Sequence, residues 1–237
     1  MESLKRLVSV LWAPAETFRK IGERPTWAVA LVVFLALGGV LGYLAVQRID
    51  ADAQRALMEE AFEQRMGLRG EALEEQVDQA MMWNERIAPW TPLFGIAFAV
   101  LAYSITALLF WVAFRLGGGE IGFPQSFSTT LHGFVPPALQ ALIAIPVVLG
   151  QESVDPEAAQ RGQFLASNLS FLAPEDASSV VVSLLGSLDL FTIWSVVLLV
   201  IGYSVVARVS KGVAAGIVGA AWLVWIGIKA GLASIFM

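Results

Sequence analysis

Cysteine is absent from this 237-residue chain, and histidine occurs once, as His132. The first absence removes disulfides and thiolate metal sites, and leaves the compartment unreadable from redox chemistry. The second argues against a histidine-rich metal site or a histidine-based catalytic triad. Charge is scarce as well. Asp, Glu, Lys and Arg make up 15% of the residues, against about 25% in an average globular chain. No GxSxG, HExxH or paired-carboxylate pattern lies in the apolar stretches. The segment "LGGGEIG" at 116–122 lacks the lysine of a phosphate-binding loop and follows no strand, so it reads as a flexible turn. Catalytic, cofactor-binding and metal-binding residues are therefore assigned to none of the positions. No enzymatic activity and no nucleic-acid partner are expected.

What is present is apolar. Hydrophobic residues reach 57% and the mean hydropathy is +0.70. Such an excess belongs in lipid, where about 20 apolar residues make one helical crossing. Five segments qualify: Trp27–Val46, Trp90–Phe114, Phe127–Leu149, Leu188–Ala207 and Gly212–Phe236. The fold class expected is all-α, a polytopic membrane protein with five transmembrane helices. In the third segment Pro136, Pro137 and Pro146 should kink or break the helix, making them, with His132, a candidate cavity or kink. His132 itself reads as a satisfied interfacial residue, with a serine–histidine dyad using "SFSTT" as the alternative.

Orientation follows from Lys and Arg at the span ends. Lys5, Arg6, Arg19, Lys20 and Arg24 precede the first span, Arg115 follows the second, and Arg208 and Lys211 separate the last two. Residues 47–89 and 150–187, on the other side, are long and acidic, with ten and five acids respectively. The expectation is a multi-pass protein of the cell inner (plasma) membrane, N-terminus cytoplasmic and C-terminus outside.

Three further segments complete the organisation. Residues 1–26 carry no secretory signal, because their apolar stretch is short and broken by Pro14. They read instead as a cytoplasmic interfacial helix, with Leu4, Leu7, Val8, Leu11 and Trp12 on one face and Lys5 and Arg6 turned to anionic lipid. The remainder, 27–237, forms the membrane domain. Residues 47–89 have two runs of helical periodicity parted by Gly67 and Gly70, which predicts an outer helical hairpin. Within 150–187, Asp155-Pro156-Glu157 and the weaker Ala173-Pro174-Glu175-Asp176 predict short outer helices. "NLS" at 168–170 also fits a glycosylation acceptor, a triplet common by chance.

Small residues mark one face of the first span (Gly38, Gly39, Gly42) and one of the fifth (Gly212, Gly216, Gly219). Internal packing and homodimerisation both account for them. Asp189 and Lys229 stand equally far from the turn near Val209-Ser210, so antiparallel neighbours bring them to one depth. They are a candidate structural ion pair, since an ionisable group in a span normally finds a partner. A helix cap for Asp189 and a snorkelling Lys229 are the alternatives.

The stretches "PAETFRKIGERP", "LGGGEIGFPQSFSTTLHGFVPPAL" and "SLDLFTIWSVVLLVIGYSVVARVSKGVAAGIV" resemble the Yip (Ypt-interacting protein) domain family. Pro14, Phe18 and Pro25 stand where the family has its pre-span motif. Asp189, Phe191, Trp194, Gly202 and Lys211 follow its Asp-x-Phe-x-x-Trp, glycine and basic-residue pattern. The resemblance covers both ends and the last three spans, not 47–89. It implies a five-span membrane protein; eukaryotic relatives bind Rab GTPases in vesicle traffic. The cysteine-free, Ala- and Leu-rich composition reads as that of a bacterial member. Two functions fit. One is a non-enzymatic membrane scaffold or interaction protein, with the bilayer and a protein partner or second copy as partners. The other is a small transporter or lipid-handling protein using the proline-broken third span.

Overall fold

The computed structural model describes residues 2–156, 164–174 and 177–236. The expected helix start at Asp155-Pro156-Glu157 lies partly outside them, and the Glu175-Asp176 pair wholly so. The protein is an all-α polytopic membrane protein. Two helices, α1 (Glu2–Ser9) and α2 (Pro14–Glu23), precede the long apolar α3 (Ala28–Gln47). Then come α4 (Ala51–Met66), α5 (Glu71–Ile87) and, after a 3₁₀ turn at Ala88–Trp90, α6 (Thr91–Leu116). They are followed by α7 (Phe123–Gly133) and α8 (Val135–Gly150). A 3₁₀ turn at Leu169–Leu172, α9 (Ser179–Gly186), α10 (Leu190–Val206) and α11 (Lys211–Phe236) complete the described elements.

Among the described residues, four helical stretches are long and apolar enough to cross a bilayer: Ala28–Gln47, Glu71–Leu116, Phe123–Gly150 and Lys211–Ser234. Length alone does not establish the fifth. The expected fourth span, Leu188–Ala207, is the 17-residue α10. At about 1.5 Å per residue it reaches roughly 26 Å, short of an apolar core about 30 Å thick. Its start is fixed by Asp189, whose Oδ1 accepts from the N–H groups of Phe191 (2.9 Å) and Thr192 (3.0 Å).

The expected third span is also two helices, and the prolines are not what parts them. The break falls at Phe134, where φ is −91° and ψ 16°. Pro136 and Pro137 lie in the first turn of α8, where no intrahelical donor is lost. Pro146 alone sits inside α8, where it removes one N–H from the ladder.

The chain divides into two compact units. The first comprises residues 1–36, 99–140 and 165–237. At its centre α10 packs against α2, α7 and α11, and α9 lies along α11. Lipid offers apolar side chains as good a solvent as protein does, so such contacts depend on close packing rather than on escape from water. Two glycines permit that packing. A Cβ on Gly202 of α10 would stand 2.8 Å from Cε1 and Cζ of Phe18, and one on Gly133 would stand 2.7 Å from Cγ of Leu199. Val10, Phe18, Ile21, Phe114, Leu131 and Tyr203 are wholly buried around these contacts.

The second unit comprises residues 37–98 and 141–164. Asp50 caps α4 through bonds from the N–H groups of Asp52 (3.0 Å) and Ala53 (3.1 Å). Gly67 (φ 67°) ends it in the left-handed conformation that glycine adopts without steric cost. α5 returns alongside, burying Leu73 and Val77, and Arg55 joins Glu59 (3.1 Å) to Asp78 (2.6 Å). The Asp78 hydrogen bond raises the Arg55 pKa above its ordinary value.

Of the glycines expected to mark packing faces, Gly39 meets Ile96 at 3.6 Å and Gly212 meets Ser210 at 3.8 Å. A Cβ on Gly38, Gly42, Gly216 or Gly219 would meet nothing within 4 Å.

Candidate functional site

Polar residues inside a membrane protein are costly unless satisfied, which directs attention to α7. From Ser126 to Gly133 every residue of this helix is buried, and Ser126, Ser128, Thr129, Thr130 and His132 have no exposed surface. Its hydroxyls converge on α10. The Tyr203 hydroxyl lies 2.8 Å from Ser126 Oγ and 2.7 Å from Thr130 Oγ1, and it donates to the Ser126 carbonyl at 3.2 Å. Ser126 Oγ in turn donates to the carbonyl of Ala107 on α6 at 2.8 Å. The Tyr203 ring stacks on Phe114, with centroids 4.3 Å apart and planes 3° from parallel. Sequence reasoning missed this cluster. Its signal is a pair of hydroxyls one helical turn apart within a membrane segment, a pattern that requires a partner.

His132 is fully enclosed by protein. Its Nδ1 lies 2.8 Å from the Ser128 carbonyl. A carbonyl can only accept, so Nδ1 carries the proton and Nε2 is left as an acceptor. Among the described residues Nε2 has no partner, nor do the side-chain oxygens of Ser128, Thr129 and Ser195. The serine–histidine dyad is therefore not assembled among them.

The candidate ion pair resolves differently from the expectation. Asp189 is committed to its cap through Oδ1, and Oδ2 accepts from the Ser167 hydroxyl and from Gln140 Nε2 (3.4 Å). Lys229 Nζ instead donates to Ser187 Oγ at 3.2 Å. The two charges sit two residues apart in their contacts, Ser187 and Asp189, and make no direct bridge. Equal distance from the turn set their depth, while the free N–H groups of α10 claimed the carboxylate.

Arg6 is a second departure. It is turned inward rather than to lipid, with 7% of its surface exposed. Its Nη1 donates to the carbonyls of Arg24 (2.8 Å) and Lys20 (3.3 Å) and to Thr26 Oγ1 (3.3 Å). These are acceptors at the negative end of α2, where a cation is favoured. Nη2 binds Glu2 at 3.0 Å, which holds the Glu2 carboxyl below the usual carboxylate range. Because Arg6, Leu7 and Val10 face inward, the exposed stripe of α1 and its exit is Leu4, Val8 and Trp12.

The residues of the sequence motif lie on α2, α10 and the link to α3, and of these Phe18 and Gly202 are brought into contact. Pro14 begins α2, Phe18 seats on Gly202, and Pro25 lies in the link to α3. Phe191 is buried in the first turn of α10, and Trp194 packs on the apolar core. Beside this junction lies a cavity of about 310 Å³, bordered by α2, the α6–α7 turn and the α10–α11 turn. Its walls carry Arg19, Glu23, Glu120, Gln125 and Arg208, over a floor of Phe18, Val205 and Val206.

The family model described as the Yip1 domain matches residues 8–232 of the chain. "Membrane protein YknW" of Bacillus subtilis (strain 168) is 26% identical over 212 residues, covering 86% of this chain and 80% of that protein. No solved structure matches.

Proposed function

The chain belongs to the Yip1 domain family, and from that premise we propose that it is a non-enzymatic scaffold or interaction protein of the cell inner membrane. The observation that carries this reading is the closure of α7 onto α10. The hydroxyls of Ser126 and Thr130 are consumed by Tyr203, and Gly133 is pressed against Leu199. A segment broken at Phe134 and so clamped acts as a strut that sets the positions of α2 and α10. In this reading the outward elements, including the α4–α5 hairpin with exposed Met82 and Trp83, present the contacts to a partner.

The topology we propose places the N-terminus in the cytoplasm and the C-terminus outside, with α10 as a fifth crossing. Lys and Arg near the ends of α2, α6 and α10 support it. Single cysteines test it. Ala72→Cys should react with an impermeant thiol reagent on intact cells and Lys211→Cys should not. Labelling of Lys211→Cys from outside overturns the orientation.

A second reading, a small transporter or lipid-handling protein, draws on the unpartnered Nε2 of His132 and oxygens of Ser128, Thr129 and Ser195. Buried polar groups without partners suit a path that admits water or solute. Photocrosslinkers at Met82 and Trp83 in living cells should yield one stoichiometric adduct if the protein is a scaffold. Solute flux in proteoliposomes that falls with Thr129→Val or His132→Leu would displace that reading in favour of transport.

A further inference from the structure

We propose that the cavity beside the Phe18–Gly202 contact binds the headgroup of a zwitterionic aminophospholipid, with phosphate on Arg19 and ammonium on Glu23. The volume, about 310 Å³, is at the lower end of small-molecule sites, which span about 300–1,000 Å³. Its depth is that of a headgroup. α6 ends at Leu116, α10 ends at Val206 and α11 begins at Lys211, so the cavity opens where the apolar helices stop.

Charge selects the ligand. Of the four ionised groups in the walls, two already neutralise each other, since Arg208 Nη1 lies 3.3 Å from Glu120 Oε2. Their turns are tied together by the Glu120 N–H, which donates to the Ala207 carbonyl at 3.0 Å. The other two remain. Arg19 and Glu23 stand one helical turn apart on α2 and have no hydrogen bond or ion pair among the described residues. A guanidinium is suited to phosphate oxygens, and a carboxylate accepts from an ammonium. A headgroup carrying both neutralises the pair at once. A purely anionic headgroup leaves Glu23 facing like charge, and a purely cationic one does the same to Arg19. The apolar floor offered by Val205 and the edge of Val206 meets the glycerol and the start of the acyl chains. None of this depends on which side of the membrane the cavity faces.

The test is lipid retention by the full chain in nanodiscs of equal phosphatidylethanolamine and phosphatidylglycerol, read by native mass spectrometry. Wild type should retain phosphatidylethanolamine in preference. Arg19→Gln should weaken retention of both lipids about tenfold, the loss of one charge-assisted hydrogen bond. Glu23→Gln should erase the preference while leaving phosphatidylglycerol bound. Both side chains are exposed, so neither change should disturb folding. Lys20→Gln, one residue away and paired with Glu16, should behave as wild type. Equal retention of the two lipids by wild type overturns the proposal, as does a Lys20→Gln effect equal to that of Arg19→Gln. A final arm adds soluble glycerophosphoethanolamine. Competition at concentrations matching the lipid would assign the site to a soluble phosphodiester and overturn a membrane source.

Discussion

Gly202→Ala tests the contact on which the α2–α10 junction rests. An ideal Cβ at this position stands 2.8 Å from Cε1 and Cζ of Phe18 and 3.0 Å from Cδ1. Ordinary contact begins near 3.4 Å, so three ring atoms must retreat together. The ring has little room, because Phe18 is wholly buried and Ile21 beside it is too. Overpacking of this kind costs about 1–3 kcal/mol. Alanine recovers up to about 1 kcal/mol over glycine in a helix interior. With three close contacts on a buried ring the clash falls in the upper part of that range, about 2–3 kcal/mol, so the expected net loss is about 1–2 kcal/mol, or roughly 2–8 °C in thermal midpoint for a chain of this size. The assay is thermal unfolding of purified protein in one detergent, across a cycle with Phe18→Leu. Removing the outer ring atoms should relieve the clash, so the double variant should lose less than the sum of the singles by about 1 kcal/mol. Unchanged or higher stability of Gly202→Ala in both backgrounds would refute the reasoning, since the ring would then yield freely.

Tyr203→Phe leaves Ser126 and Thr130 short of a buried partner, which should cost about 1–3 kcal/mol in the same assay; no loss would mean that other groups take over the hydroxyl's role. Asp189→Ala removes the cap of α10 and should cost about 1–2 kcal/mol. Combined with Lys229→Ala it should be additive to within about 0.5 kcal/mol, whereas a large coupling would reinstate a direct pair. The Glu2 carboxyl is held low by Arg6, so its contribution is present above the ordinary value of 4.5 and lost as pH falls through the lower folded value. Trp12 fluorescence should therefore change only below pH 4.5, and Glu2→Gln should give the acid signal already at neutral pH.

Much of the fold is legible in the sequence because crossing lipid imposes length and apolarity, and both are written in composition. Trp27–Val46 and Gly212–Phe236 match α3 and α11 to within a residue. Legibility fails where polar side chains decide. Nothing local in "SFSTTLHGFVPP" places the break at Phe134 rather than at the prolines. That choice depends on Tyr203, 73 residues from Thr130, and on Leu199 against Gly133. Arg6 illustrates the same limit, because helical spacing alone cannot reveal that the carbonyls of Lys20 and Arg24 await a donor. For the candidate site, the motif positions Phe18 and Gly202 were readable as a pattern. The cavity beside them was not, since it is assembled from one helix and two turns distant in the chain.

The enclosure of α7 bears on how the protein is made. A segment with two serines, two threonines and a histidine in eleven residues partitions poorly into lipid by itself. Ser126 and Thr130 meet the Tyr203 hydroxyl only when α10 emerges from the ribosome, some seventy residues later. Until then the nascent chain carries an incompletely satisfied helix, held to earlier elements by the Ser126–Ala107 bond and by ring contacts of Phe123 with Trp111 and of Phe127 with Trp27. Assembly is therefore not a series of independent insertions. The last third of the polypeptide completes the middle third.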